Sequence, residues 1–166
     1  ENTKILLSVG ELIKRKNHEV IIRSLSKLKD KNFVYIICGR GPLLEQLKEL
    51  AVQLGLEKKV KLLGFRKDII EICKIADLFV FPSIHEGLPV ALMEAMSCGI
   101  PCIASDVRGN RDLLSSDNLC KNNGEDEWVR LLSIFFYGKN IESNEMSMLY
   151  SVENIKHSME EIYGLN

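Results

Sequence analysis

Phe33-Val34-Tyr35-Ile36-Ile37-Cys38-Gly39-Arg40-Gly41-Pro42 is the stretch that decides the fold. Its first six residues have no polar face. That is the pattern of a strand covered on both sides, and so of a parallel sheet wrapped by helices. The glycine-arginine-glycine turn ends the strand. Pro42 suits the first position of a helix, which the pattern carries to about residue 54, where Gly55 stops it.

The same alternation extends in both directions. Residues 5–9 read as a strand closed by Gly10, and residues 18–29 as a helix with Val20, Ile21, Leu25 and Leu28 on one face. Downstream lie a strand over 60–63 ending at Gly64, a helix over 68–74, a strand over 78–81 and a loop over 82–88. Pro89 opens a helix that ends near Cys98-Gly99. A strand over 101–104, a loop over 106–110 and helical patterns over 126–136 and 154–163 complete the chain. No repeat, low-complexity segment or linker interrupts it. The prediction is a single α/β domain over residues 1–166, a Rossmann-like three-layer fold with a central parallel sheet flanked by helices. The loops starting at Gly10, Gly39, Gly64, Pro82 and Ser105 should open on one edge, beyond the carboxyl ends of the strands, where such sheets bind ligands.

Composition narrows the function. With 166 residues, 46% hydrophobic and 27% charged, the chain has ordinary globular make-up. A net charge of −1 gives no whole-chain basic field for nucleic acid or an anionic membrane. No apolar run approaches the roughly 20 residues that span a bilayer. The start, Glu1-Asn2-Thr3-Lys4, enters a strand with no signal peptide, which suggests a fragment of a longer chain. The five cysteines form no C-x-x-C pair, and the histidines are scattered at 18, 85 and 157. That spacing argues for buried, reduced thiols in a cytoplasmic protein and against a metal cluster.

The loop edge holds the chemistry. Gly39-Arg40-Gly41 begins like a dinucleotide fingerprint, but Leu44 stands where the third glycine belongs, and the P-loop pattern is absent. The turn either lets backbone amides approach an anion or is a tight turn only. In His85-Glu86-Gly87-Leu88-Pro89, a helix starting near Leu88 would leave its first amides free for phosphate. Glu94 would then lie about two turns in, where a carboxylate can accept from both hydroxyls of a ribose. Glu86, at the helix mouth, would face a sugar beyond the phosphates. Glu94 is alone in the apolar run 90–96, and a lone carboxylate there wants a partner. Lys14, Arg15 and Lys16 follow the first strand, and one of them could reach a diphosphate. His85 is a candidate polar contact. Asp106, Arg108, Asn110 and Arg111 form a polar loop at the same edge, with Arg111 and Asp112 expected to make structural salt bridges.

Residues 80–101, with Glu86 and Glu94 as an E-x7-E pair, resemble the retaining glycosyltransferases of the group 1 type (family 4), which have the two-domain GT-B architecture. Ser8-Val9-Gly10, Lys16-Asn17-His18, Cys38-Gly39-Arg40-Gly41-Pro42 and Leu63-Gly64-Phe65 match in the family's order. The likeness is to the C-terminal, donor-binding domain and covers residues 4 to about 114. It implies that Glu94 binds the ribose diol, Glu86 contacts the transferred sugar, and the Gly87 and Leu88 amides meet the diphosphate. It also implies that Lys16 neutralises the leaving diphosphate. Gly39 and Arg40, with Phe65 and Arg66, would border the base, and Gly10 would belong to the same donor site.

One departure matters: the family often places an arginine after the first strand's glycine, and here that position is Glu11. Either Glu11 points away, or Lys14 or Arg15 supplies the charge. The expectation is donor binding without metal or other cofactor, UDP-sugars favoured, with the acceptor, a sugar or lipid-linked one, held by an N-terminal domain outside this chain. The protein would work in the cytoplasm or at the inner membrane face, with any membrane contact through the rest of the protein. The rival readings are a nucleotide-sensing module without activity and a sugar-nucleotide epimerase on the same plan.

Overall fold

The computed structural model describes residues 2–138. The helix expected over 154–163 lies outside the described residues. Six strands, β1 (Lys4–Val9), β2 (Phe33–Cys38), β3 (Val60–Gly64), β4 (Leu78–Phe81), β5 (Cys102–Ser105) and β6 (Leu119–Cys120), form one sheet in the order β3-β2-β1-β4-β5-β6. Every neighbouring pair is parallel. The helices are α1 (His18–Ser26), α2 (Leu44–Gln53), α3 (Ile69–Ile75), α4 (Val90–Ser97), α5 (Arg108–Arg111) and α6 (Glu125–Phe136).

The two-residue period of the strands builds two cores, one on each face of the sheet. Leu6, Tyr35, Ile37, Val80 and Ile103 point to one side, where they meet Ile21 and Leu25 of α1, Leu47 and Leu50 of α2, and Trp128 and Leu132 of α6. Leu7, Cys38, Phe79, Phe81, Cys102 and Ala104 point to the other, against Ile72 and Cys73 of α3 and Leu92, Ala95 and Met96 of α4. This is why the strands read as continuous apolar runs. One polar stitch crosses the sheet interior: the buried Ser8 hydroxyl donates to the Val80 carbonyl at 2.5 Å and lies 2.8 Å from the Tyr35 hydroxyl.

Three local expectations fail. Pro42 does not open α2, which begins at Leu44, because Leu43 N–H is taken by the Leu12 carbonyl at 3.0 Å and Leu44 N–H turns back to Gly41. Residues 106–110 are not all loop: Arg108–Arg111 form the single turn α5. Leu119-Cys120 pairs with Ala104-Ser105 as a sixth strand, which was not expected.

The strand order reverses between β1 and β4, where the chain leaves the β1-β2-β3 half and returns to build β4-β5-β6. The loops after β1 and β4 therefore part at this point and leave a crevice, as ligand sites in such sheets require. The first carries Lys16 and the second Glu86.

Candidate functional site

A cleft of about 420 Å³ opens beside this switch point. The β1–α1 loop contributes Val9, Gly10 and Glu11 to its wall, and the β2–α2 turn contributes Cys38, Gly39 and Arg40. Phe65, Arg66 and Ile69, after β3, close the third side. Of the residues predicted from sequence, Gly10, Gly39, Arg40, Phe65 and Arg66 thus share one cavity. The Arg40 guanidinium lies 5.6 Å from the centre of the Phe65 ring, near enough for a cation–π contact. Arg66 donates to Asp68 at 2.8 Å, and this hydrogen bonding holds the Asp68 carboxyl below the usual carboxylate range.

The glycines of the Gly39-Arg40-Gly41 turn answer to the protein's own backbone. A Cβ on Gly39 would sit 1.8 Å from the Gly10 carbonyl oxygen, and one on Gly41 would sit 2.4 Å from that of Leu12. The two loops cross at van der Waals distance and are bonded together, Leu12 N–H to the Arg40 carbonyl at 2.9 Å and Gly10 N–H to Cys38 at 3.0 Å. No side chain fits in that gap. This accounts for the glycines without a ligand, while Gly39 and Arg40 still line the cleft.

Gly10 joins the cleft to the predicted reaction centre. The Lys16 side chain runs along it, 3.3 Å from where a Cβ would stand, and ends with Nζ 2.6 Å from Glu86 Oε1 and 5.0 Å from the Phe81 ring centre. Arg15 Nη1 reaches the same Oε1 at 3.5 Å. Glu86 is only 6% exposed, so two cations from the β1–α1 loop satisfy one buried carboxylate from the β4–α4 loop. The sequence reading assigned Lys16 and Glu86 each to a ligand. In the structure Lys16 and Glu86 bind each other.

The loop that carries Glu86 is anchored at every residue from 82 to 86. Asn123 donates to the Pro82 carbonyl at 3.3 Å, and the Ser105 hydroxyl donates to that of Ser83. Ile84 N–H donates to the Arg15 carbonyl at 2.9 Å, and Arg15 Nη1 to the His85 carbonyl at 3.1 Å. His85 therefore contributes backbone, not side chain, to these ties. Behind the loop, Gly109 leaves room for the Gly87 carbonyl, which would stand 2.5 Å from a Cβ there. The buried Asn110 donates to the Ser105 carbonyl at 2.9 Å.

Beyond Glu86 the chain is open. Gly87 and Leu88 are exposed, and among the described residues their amides donate no hydrogen bond. Helix α4 begins at Val90 instead of near Leu88, because Pro89 takes a non-helical ψ of 70°. Glu94 is thus the fifth helical residue, little more than one turn from the start. It is exposed and has no ion-pair partner among the described residues, so water satisfies the carboxylate that the apolar run made conspicuous. It stands near the Cys73 thiol of α3, the helix whose first residue, Ile69, lines the cleft.

A sequence model described as "Glycosyl transferases group 1" matches residues 1–146. The chain belongs to this family. It is 36% identical over 121 residues to the UDP-Gal:alpha-D-GlcNAc-diphosphoundecaprenol alpha-1,3-galactosyltransferase of Escherichia coli, covering 70% of this chain and 31% of that one. Over 115 residues it is also 36% identical to the N-acetylgalactosamine-N,N'-diacetylbacillosaminyl-diphospho-undecaprenol 4-alpha-N-acetylgalactosaminyltransferase of Campylobacter jejuni, covering 69% and 31%. The matched stretch is thus less than a third of either relative. Anabaena HepE, solved in complex with UDP, superposes with a TM-score of 0.88 at 22% identity, over 99% of this chain and 50% of that one. At that identity the likeness is one of fold, and the neighbours are glycosyltransferases of GT-B architecture.

Three further side chains bear on this group 1 site. Glu11, which departs from the family, is exposed and is among the residues that line the cleft. Arg15, weighed with Lys14 as a substitute for the missing charge at position 11, meets Glu86 beside Lys16. His18 was passed over as a functional residue. It is 4% exposed, lies against the Gly10 and Glu11 backbone, and among the described residues its ring nitrogens have no hydrogen-bond partner of good geometry. Burial pushes its pKa down to about 4. The signal was present: His18, Ile21, Ile22 and Leu25 share one helical face, the buried one.

The remaining assignments are structural. Arg111 pairs with Asp106, while Asp112 has no ion pair among the described residues. All five cysteines are free thiols, and burial pushes Cys38 up to about 11 and Cys73 and Cys120 to about 12. Among the described residues no group of three or more His, Cys, Asp and Glu is placed to hold a metal ion, and no helix is long and apolar enough to cross a membrane.

Proposed function

We propose that this chain is the donor-binding domain of a retaining glycosyltransferase that takes a UDP-sugar and transfers the sugar to a glycan or lipid-linked acceptor. The observation that carries the reading is the continuity of the cleft with the Lys16–Glu86 pair through Gly10. The base would stack in the cleft between the Arg40 and Phe65 side, Arg66 and the Gly39 backbone. The cleft's volume lies within the range of ordinary small-molecule sites. The exposed Glu94 carboxylate would accept from both ribose hydroxyls, exchanging water for a diol. The diphosphate would lie across the free Gly87 and Leu88 amides, with Lys16 drawn to it.

Breaking the bond between the anomeric carbon and the diphosphate puts charge on the leaving oxygens. Lys16, once turned to the diphosphate, and the amides before α4 would meet that charge, and preorganised groups of this kind stabilise a transition state strongly. This supply of positive charge supports metal-independent chemistry. Glu86 would hold the sugar's hydroxyls and is not assigned as a covalent nucleophile. The Escherichia coli relative is named for a UDP-galactose donor and an α-linked product, which supports UDP and retention. The acceptor site would lie on an N-terminal domain outside this chain, and work in the cytoplasm or at the inner membrane face follows from lipid-linked acceptors of the kind the relatives are named for.

Calorimetry and thermal shift with UDP, GDP and ADP, free and as sugars, test the reading on this chain. UDP and a UDP-sugar should bind and raise the melting temperature. Lys16→Ala should weaken UDP far more than uridine. Equal loss for both, or binding of none of the nucleotides, removes Lys16 or the whole site.

A further inference from the structure

The ion pair in the free protein and the proposed chemistry make competing claims on one lysine. Lys16 Nζ is 2.6 Å from Glu86 Oε1, yet a bound diphosphate would draw the same ammonium. Glu86 is 6% exposed, and a carboxylate so buried is strongly destabilising once its partner leaves. It keeps a second partner. Arg15 Nη1 stands 3.5 Å from the same oxygen, and Arg15 is fixed from two other directions. Its Nη1 donates to the His85 carbonyl at 3.1 Å, and its own carbonyl accepts from Ile84 N–H at 2.9 Å.

Lys16 is held less firmly. Among the described residues its ammonium makes one hydrogen bond, to Glu86, and otherwise rests near the face of Phe81. A lysine is a point charge on a flexible stem, free to turn. An arginine's planar fork is set by its partners. The two neighbours on Glu86 are therefore unequal, one free to leave and one tied to the loop it supports.

We propose that Arg15 is a positioning residue for the donor sugar, keeping Glu86 paired and in place when Lys16 turns from it to the diphosphate. The proposal rests on the donor-site reading above. Arg15 then contributes to recognition of the sugar and not of UDP. Its guanidinium is spent on the β4–α4 loop, and its effect reaches the ligand only through Glu86.

The test is calorimetry of this chain with UDP and with UDP-glucose, UDP-galactose and UDP-N-acetylglucosamine, the tightest of the three serving as donor probe. Arg15→Gln should leave the Kd for UDP within about twofold, and lower the preference for the donor probe over UDP by about threefold to tenfold. Arg15→Lys should restore most of that preference, since it returns the charge. In a Glu86→Gln background, Arg15→Gln should change the preference no further. That pair also serves if Arg15→Gln alone melts early, because it removes the carboxylate left with one partner.

Lys16→Ala separates the two ways of failing. If it weakens UDP as expected but Arg15→Gln weakens UDP equally, the donor site stands and Arg15 is a phosphate contact, which overturns the proposal. So does an Arg15→Gln chain with unchanged preference, an additive effect in the Glu86→Gln background, or a wild-type chain with no preference for any of the sugars. If Lys16→Ala leaves UDP binding unchanged, the reading itself falls, and the exchange of partners with it.

Discussion

Glu86 lies in the loop after β4, 6% exposed with two cations on one oxygen, whereas Glu94, eight positions on, sits on the open side of α4 with no ion-pair partner among the described residues. The sequence presents them as a matched pair of acids in one motif. The fold gives them opposite conditions. Glu86 is placed before any ligand arrives, by contacts from two loops that meet only in the folded chain. Glu94 is left to water, and a diol can replace that water with little desolvation cost. On the donor-site reading, two residues of one motif divide the work: Glu86 would be fixed by the fold before it meets the sugar, and Glu94 would be left open for the ribose.

The most severe way to test that division is Glu86→Ala. It strands Lys16 and Arg15 without their carboxylate, which should cost about 3 kcal/mol and lower the melting temperature by roughly 6–12 °C. A melting temperature within a degree or two of wild type would show that the buried pair contributes nothing to the fold, and the contrast with Glu94 would disappear.

Acid should strike the Glu86 side next. His18 lies beneath the loop that carries Lys16, and its folded-state pKa is about 4 against an ordinary 6.5. The unfolded chain therefore takes up this proton first as the pH falls. The stability held by the neutral imidazole is complete above about pH 6.5 and is lost progressively toward pH 4, by about 2–3 kcal/mol. Urea melts across that range should show the slope in the wild type and a flatter profile in His18→Gln.

Glu94→Ala should have the smallest effect on the fold, within about 0.5 kcal/mol, as for an exposed side chain without partners. On UDP affinity it should cost about 2 kcal/mol, the pair of ribose hydrogen bonds. Unchanged affinity by calorimetry would take Glu94 out of the site and leave Glu86 without its counterpart.

Much of this was legible in the sequence, for physical reasons that also mark its limits. Strands β2, β4 and β5 were readable because both faces are covered and all but the terminal Ser105 are apolar; β1 and β3 were readable, despite Lys4, Ser8 and the exposed Lys61, because a short apolar run stops at a glycine. β6 was not, since Leu119-Cys120 is too short for any period to register. The single turn α5 was hidden by Gly109, a poor helix former present for the room it leaves beside Gly87. For the site, residue types and spacing pointed to Glu86, Glu94, the Gly39-Arg40-Gly41 turn and the basic run 14–16, while the choice of Lys16 and the addition of Gly10, Phe65 and Arg66 came from the family resemblance. What spacing could not supply was contact between residues 70 positions apart, so the pairing of Lys16 with Glu86 was invisible. The choice of Arg15 over Lys14 was invisible for the same reason.

The crossing of the first two β–α loops has a consequence for how such a protein could change its preference. Because Gly39 and Gly41 press directly on Gly10 and Leu12, any side chain added there would displace the segment leading to Lys16. Phe65, 60% exposed, is free of that constraint, and Arg66 beside it is exposed as well. Substitution on that outer wall can reshape the mouth of the cleft while the inner wall stays fixed. Selection, or an engineer seeking a different nucleotide, would find its freedom after β3 and at Arg40, and none at the two glycines after β2.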